Sequence, residues 1–304
     1  LEARVQSGRY RPKPKREVLI PKANGKTRPI AIASLEDKIV DKALGDILTL
    51  VYEPLFIKNS YGYRPRKSAH QAIEACFRSM EKGTRPHVLE IDFSKFFNTI
   101  AHDQLMKIVT KRIGDKRFLS LIRRLLTSEV LHATGELEPN QVGTPQGGIA
   151  SPILANIYLH YALDQWFKEN FQSKDNVMVR YADDAIFFFK REEELKNFEE
   201  KLRSRVAQFH LILNEEKTQS LVMDKKSQRD FTFLGFTFYW KKQGRRRIFK
   251  LKTSKEKLIK SIQDFYRWIK ENRNRYKLSV LWSKAKARIY GHINYFGYWM
   301  NSLK

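Results

Sequence analysis

The stretch VMVRYADDAIFFF, residues 177–189, sets two adjacent carboxylates, Asp183 and Asp184, between two runs of Val, Met, Tyr, Ile and Phe. Apolar β-formers on both sides of a two-residue polar step predict a hairpin turning at the two aspartates. Such a turn is ordinarily Asn-Gly or Asp-Gly, and Asp-Asp is a poor choice for turning alone. Adjacent like charges also raise each other's pKa unless a cation stands near. Taken in isolation the pair reads as a solvated hairpin tip, but the chain supplies a third carboxylate. In HVLEIDFSKFFNTI, a short strand puts Glu90 and Asp92 on one face, and Asp92 ends the run. Phosphoryl transfer between nucleotides commonly uses two divalent ions held by shared carboxylates, and Mg²⁺ keeps some of its water, so two or three aspartates suffice. Asp92 and Asp183 on neighbouring strands would form that platform.

The chain's 304 residues and 36.0 kDa suggest two or three lobes. Its formal charge of +25 sits at the ends: residues 1–30 carry nine Lys/Arg against two acids, and residues 241–304 carry nineteen against three. The middle is nearly neutral. Basic surfaces on either side of a different kind of site favour a polyanionic partner, nucleic acid before an anionic membrane. The single cysteine, Cys76, excludes an intramolecular disulfide framework and a multi-cysteine zinc site, and fits a reducing compartment. With no run of about 18 apolar residues and no apolar signal core in LEARVQSGRY, the expectation is a soluble, cytoplasmic protein.

Along the chain, Val18–Ile20 and Ile30–Ile32 flank PKANGKTRP, whose Asn24-Gly25 predicts a hairpin and a basic β-ribbon. Ser34 is placed to cap a helix with Ile39, Ala43, Ile47 and Leu50 at helical spacing, ended by Pro54. Residues 103–131 read as helices. QVGTPQGGIASPILANIYLHYALDQWF is a Gly-rich loop running into a helix, with Ser151 as N-cap, Pro152 at its first position, and Leu154, Ile157, Tyr158 and Tyr161 on one face. A charged helix follows at about 192–209, then LILNEEKTQSLV and FTFLGFTFYW as strands. KKQGRRR at 241–247 reads as a solvated turn or a phosphate-contacting linker. Thr253 to Glu256 forms a capping box before a basic amphipathic helix with Leu258, Ile262, Phe265 and Ile269 on one stripe. Residues 279–302 look helical too, interrupted at Gly291 and Gly297. Helices interleaved with about four strands, acids at strand ends, predict an α+β fold.

Seven segments occur in the order of the reverse transcriptase motifs: IPKANGKTRPIAI, SYGYRPRKSAHQAI, EIDFSKFFNTI, GTPQGGIASPILANIYL, RYADDAIFFF, LNEEKT and FTFLGF. The chain thereby resembles the bacterial group II intron reverse transcriptase/maturase family over nearly its whole length. The resemblance implies a right-hand polymerase fold with fingers (1–86 and 101–140), a palm built on a ferredoxin-like antiparallel sheet (87–100 and 141–240) and a helical thumb (241–304). It implies RNA-directed DNA synthesis by two-metal nucleotidyl transfer from a dNTP to a primer 3′-hydroxyl.

By position, the resemblance makes Asp92 and Asp183 the principal metal ligands, assisted by the Phe93 backbone carbonyl, with Asp184 completing the catalytic acidic cluster. The cofactor would be two Mg²⁺ ions, with Mn²⁺ as a substitute. Phe97 stands where the family rejects a 2′-hydroxyl; by residue type alone it is equally a core aromatic beside Phe96. Lys22 and Arg28 match basic residues that grip the triphosphate. Gln146 would line the nucleotide pocket, Gly147 and Gly148 would let backbone approach the nucleotide, and Lys217 would neutralise the leaving pyrophosphate. Leu234 and Gly235 match the primer-gripping turn. Arg64 would bind template phosphate or shape the fingers.

Implied partners are an RNA template, a DNA primer and dNTPs, with a structured intron RNA or a CRISPR integrase as further partners, no membrane, and a bacterial cytoplasm as the location. Ala101 replaces the family's usual Pro, and Tyr63 its usual Phe. The intact QGGIASP argues against the diversity-generating branch. The closing YGHINYFGYWMNSLK resembles both the maturase thumb and reverse transcriptases fused to a CRISPR integrase. The branch's endonuclease segment has no counterpart in these residues, so no cleavage of a DNA target is expected from them. An RNA-clamping splicing maturase and a CRISPR spacer-acquisition enzyme are the alternatives. A metal-dependent nuclease leaves Gln146, Phe97 and the primer-grip match without a purpose.

Overall fold

The apolar runs around the three aspartates become strands of one sheet, and the elements before them build its surroundings. The computed structural model describes residues 1–21, 27–144 and 147–297. A short helix α1 (Glu2–Gln6) precedes the antiparallel ribbon β1 (Lys15–Pro21) and β2 (Thr27–Ile32). The Asn24-Gly25 turn expected between these strands lies outside the described residues. Helix α2 (Leu35–Tyr52) starts where expected, the Ser34 hydroxyl accepting from the Asp37 amide. Its buried face is a different one, however: Val40, Leu44, Leu48 and Tyr52 pack inward, while Ile39, Ile47 and Leu50 are exposed. Both stripes have helical spacing, so periodicity alone could not choose between them.

Next come α3 (Ala69–Met80), with a capping box between Ser68 and Gln71, β3 (His87–Ile91), the single turn α4 (Phe96–Thr99), α5 (His102–Val109) and α6 (Lys116–Leu126). Two short strands, β4 (Val130–Leu131) and β5 (Leu137–Glu138), extend the ribbon into a sheet of order β2-β1-β4-β5. Helix α7 (Ser151–Leu159) starts with Ser151 already inside it and Ala150 at the cap, one residue earlier than expected. It runs through a π-helical turn, His160–Asp164, into α8 (Gln165–Asn170). Almost every residue of α7 is buried, so the single face read from spacing becomes a helix enclosed all round.

The hairpin strands are β6 (Val177–Tyr181) and β7 (Asp184–Phe189); α9 (Glu192–Ala207) and β8 (Gln219–Val222) follow. Together they form a sheet of order β6-β7-β3-β8, antiparallel throughout. This is the β-α-β-β-α-β arrangement of a ferredoxin-like unit. One face carries Phe187 and Phe189 against Phe167 and Phe198 of the covering helices. The other carries Val88, Val179, Ile186 and Phe188 against α3 and a second sheet. Burial on both faces is why β7 reads as an unbroken apolar run rather than an alternating one.

That second sheet is β9 (Asp230–Phe233), β10 (Phe236–Gln243) and β11 (Arg246–Thr253). The run KKQGRRR is the end of a hairpin, since Lys242 pairs with Arg247 and Gln243 with Arg246. Strand continues to Thr253 because Phe249 and Leu251 turn inward against Trp240 and Phe238. Helix α10 (Lys255–Asn272) is therefore capped at Ser254, without a side-chain cap bond, and not by a Thr253–Glu256 box. Helix α11 (Leu278–Phe296) passes uninterrupted through Gly291 and ends at Gly297. Among the described residues none of α10 and only Ala285 of α11 is buried. The pair is held by its far end: Tyr295 donates its hydroxyl to the Leu234 carbonyl at 3.0 Å, His70 contacts the Tyr295 carbonyl at 2.8 Å, and Phe296 packs on Phe236.

Candidate active site

Strands β3 and β7 pair with Ile91 opposite Ala185, so Asp92, one residue beyond its strand, comes beside Asp184 at the start of the next. Tyr181 pairs with Asp184, which leaves Ala182 and Asp183 as the two turn residues. The turn thus falls one residue earlier than the sequence suggested, because Asp184 already belongs to the ladder. Ala182 carries a positive φ of 56°, the conformation that glycine usually supplies in such a turn. Asp183 stands at the tip and Asp184 on the strand, so the two carboxylates are not equivalent.

Their charges are felt across the site. Partial burial first, then the charges of Asp183 and Asp92, push the Asp184 carboxyl up to about 7, although Asp184 is the exposed residue of β7. Asp183 is raised as well, by loss of water and by Asp92, while Arg28 and Arg180 pull it back. Lys217 sets its ammonium 3.0 Å from Asp92 Oδ2, and the Asn214 side-chain amide donates to the same oxygen at 3.2 Å. That hydrogen bond raises the Lys217 pKa. Glu90, on the same strand face, is pushed up to about 7 by burial and accepts from Gln219 at 2.9 Å.

Three neighbouring carboxylates, two of them raised by burial and by adjacent charge, make a donor set suited to a divalent cation, and Lys217 already supplies one positive charge there. Among the described residues no group of three His, Cys, Asp or Glu side chains stands ready-made around a metal position. The fit is therefore one of chemistry and charge. Phe93, expected to help through its carbonyl, is buried and tied to Leu213 by a single antiparallel bridge.

On the nucleotide side, Phe96 takes the core position, leaving Phe97 half-buried at the start of α4. The Phe97 carbonyl accepts from the Thr144 amide at 2.7 Å, which ties this turn to the loop before α7. In that loop Gly147 has φ +108°, and a Cβ there would meet Ile30 Cγ2 at 2.8 Å and the Ala31 carbonyl at 2.9 Å. Only glycine lets the loop lie against β2, the strand that brings Arg28 within electrostatic reach of Asp183. Lys22 and Gln146 lie outside the described residues. Leu234 and Gly235 form the two-residue turn between β9 and β10, both left-handed (φ 51° and 83°).

Arg64 has the second of its two expected roles. Its guanidinium is spent on Glu53, on the Ile57 and Ser60 carbonyls and on the Phe56 ring face. A buried guanidinium with those partners shapes its own loop and has no fork left for a template phosphate.

Sequence reasoning missed the support beneath the turn. Arg180, fully buried on β6, makes a two-point ion pair with Asp164 of the π-helical turn, at 2.7 and 2.5 Å. Its remaining nitrogen donates to the Ala182 carbonyl at 2.7 Å and to Asn156 Oδ1 at 3.0 Å. Asn156 in turn donates to the Gly62 carbonyl at 2.7 Å. One signal was available: Arg180, Asp164 and Asn156 each interrupt an otherwise apolar run, and buried polar groups require partners.

Residues 20–238 match the sequence profile of the family described as "Reverse transcriptase (RNA-dependent DNA polymerase)". The chain belongs to that family. Reverse transcriptases generally use divalent metal ions and act on RNA templates. Protein YkfC of Escherichia coli K12 is 34% identical over 252 residues, 72% of this chain and 66% of that protein. The group II intron-encoded protein LtrA of Lactococcus lactis subsp. cremoris is 32% identical over 222 residues, 71% of this chain and 36% of its own length. A 91 kDa protein in the cob intron of Schizosaccharomyces pombe is 43% identical over 161 residues, 53% of this chain and 19% of that protein. The chain thus spans between about a fifth and two-thirds of these relatives, which come from bacteria and from a yeast. Among solved structures, apo telomerase from Candida tropicalis, truncated from its C-terminal domain, superposes with a TM-score of 0.61 at 16% identity, covering 83% of this chain and 58% of that one. Telomerase from Candida albicans, in complex with a fragment of telomeric RNA, gives 0.62 at 15% identity, covering 82% and 46%. The fold is the α+β right-hand polymerase fold. No helix among the described residues is long and apolar enough to cross a membrane.

Proposed function

We propose that this reverse transcriptase is an RNA-directed DNA polymerase of group II intron type, copying RNA from a DNA primer with dNTPs. One observation carries the reading: Asp92, Asp183 and Asp184 converge at adjoining strand ends, where burial and neighbouring charge raise the Asp183 and Asp184 pKa values, beside the ammonium of Lys217. The primer 3′-oxygen attacks the α-phosphate of the dNTP, its proton passes to solvent, a new P–O bond forms, and the bond to pyrophosphate breaks. Asp92, Asp183 and Asp184, with the Phe93 carbonyl, would hold two Mg²⁺ ions or Mn²⁺ in their place. Such ions would supply charge stabilisation to the reacting phosphate.

Arg28 and Lys22 grip the triphosphate, Gln146 and the Gly147 turn line the nucleotide pocket, and Phe97 lies under the sugar. Lys217, whose ammonium stands 3.0 Å from Asp92 Oδ2, would face the leaving group and neutralise its charge. Leu234 and Gly235 position the primer end. Residues 1–86 and 101–140 act as fingers, 87–100 and 141–240 as palm, and 241–304 as thumb, with the thumb's helices starting at Lys255. Matches to bacterial proteins over some seventy per cent of the chain support a bacterial source, and a bacterial cytoplasm is its proposed place of work.

Extension of a DNA primer on an RNA template with Mg²⁺ and dNTPs, comparing the parent with Asp183→Ala, tests the reading. Extension lost in the variant upholds it. A second reading, a splicing maturase that clamps structured intron RNA, draws on the +16 charge of residues 241–304 and on helices with almost nothing buried. Tight RNA binding with no extension by the parent would favour it.

A further inference from the structure

The turn that carries Asp183 is strained at Ala182 and is gripped from two sides. Beneath it, Arg180 donates to the Ala182 carbonyl while its other nitrogens are locked on Asp164. Above it, the segment 59–62 runs alongside β6: Arg180 donates its amide to the Asn59 carbonyl at 2.9 Å, and Tyr61 donates to the Arg180 carbonyl at 2.8 Å. This brings Gly62 so close that a Cβ there would overlap the Ala182 amide and stand 3.0 Å from the Ala182 Cα and Tyr181 carbonyl carbon. Asn156 joins the two sides, donating to the Gly62 carbonyl and accepting from Arg180. Arg180, Asp164 and Asn156 are buried to within 1% of complete. The π-helical turn is the device that includes Asp164, since an extra residue per turn re-aims side chains.

From this arrangement we infer that Arg180, Asp164, Asn156 and Gly62 form a latch that positions the Ala182–Asp183 turn, acting on catalysis through the placement of Asp183 and not by touching substrate. The inference rests on the polymerase reading for its effect on rate, and on geometry alone for the turn. A left-handed alanine persists only where its surroundings over-determine it, and here a hydrogen bond holds its carbonyl while Gly62 crowds its amide. The latch also connects the SYGYRP segment to the carboxylates without passing through the nucleotide pocket.

The discriminating variant is Arg180→Met with Asp164→Leu, which removes both charges and keeps the volume filled, a change that buried ion pairs often tolerate in stability. Gly62→Ala attacks the turn from the other side and leaves the ion pair intact. For both, we expect metal-free binding of an RNA–DNA primer–template close to the parent, KM for dNTP little changed, and kcat reduced by about 10²-fold; thermal unfolding stays near the parent in the double variant and falls in Gly62→Ala, whose added Cβ meets backbone. Hydrogen–deuterium exchange should rise at the amides of residues 181–184. A stable double variant with parental kcat would show the ion pair to be structural only and overturn the latch. If the double variant does not fold, parental kcat in Gly62→Ala overturns it equally. If the parent extends no primer, the polymerase reading fails on its own, and exchange at residues 181–184 still decides: raised in the variants upholds the latch, unchanged refutes it.

Discussion

The sheet that carries the carboxylates and the helical pair α10–α11 are opposite solutions to holding charge. In the sheet, β7 is enclosed on both faces, and its one exposed residue is Asp184. In the helical pair, large apolar side chains such as Leu278 (80% exposed) and Tyr266 (70%) face solvent among Lys and Arg. The first region keeps its acids in place by packing, although doing so raises the pKa values of Asp183 and Asp184. The second keeps its bases solvated, anchored at Tyr295 and Phe296, and fixes little of their geometry. Chemistry at a reacting atom needs placement to a fraction of an ångström, whereas attraction to phosphates needs only charge and reach.

The contrast should be most visible in activity. Asp92→Asn is expected to lower primer extension by at least about 10²-fold, while leaving duplex binding intact. Lys257→Gln combined with Lys260→Gln in α10 should do the reverse: extension at saturating duplex is retained, and the slope of log affinity against log salt falls by roughly 0.7–0.9 for each phosphate that the variant no longer neutralises. Binding titrations across salt concentrations measure both. Equal losses in kcat would erase the division between the regions.

Stability should separate them next. Phe187→Ala, in the middle of the enclosed strand, is expected to cost about 3–5 kcal/mol in denaturant unfolding. Ile262→Ala in α10 should stay within about 0.5 kcal/mol. A comparable cost at Ile262 would mean that the helical pair is as tightly packed as the sheet.

The smallest effect is on pH dependence. The Asp184 carboxyl titrates at about 7 when folded, against about 3.9 when unfolded, so the folded chain binds that proton more tightly. Metal-free protein should therefore lose stability as pH rises through that window. Asp184→Asn removes the loss, so its melting temperature in chelator should exceed the parent's by more at pH about 7.5 than at about 5. A constant difference across pH would mean that Asp184 does not carry the raised carboxyl.

Much of the site was legible because its chemistry is local. Three aspartates, each beside an apolar run, and a Gly-rich loop before a helix are written in neighbouring residues. The β1–β2 ribbon and the Ser34 cap have the same local origin. Other readings failed where two local answers were equally good. Helix α2 offers two apolar stripes, and only the position of α7 decided which was buried. Arg64 looked like a phosphate contact until Glu53 and two carbonyls were found around it. Lys15, counted among the basic N-terminal charges, is buried, donates to the Leu125 carbonyl and has its pKa lowered to about 8.

By itself, then, the sequence determined the strands that carry the acids, the order of those acids and the polyanionic character of the partner that the two basic ends attract, since each depends on residue type, alternation and charge within a few positions. Tertiary structure alone decided which carboxylates meet, that Lys217 covers Asp92, and that Arg180 reaches Asp164 and Ala182 together. Those contacts join residues separated by anything from two positions to more than a hundred, and strand pairing and burial, which are properties of the whole packed chain, bring them within hydrogen-bonding distance.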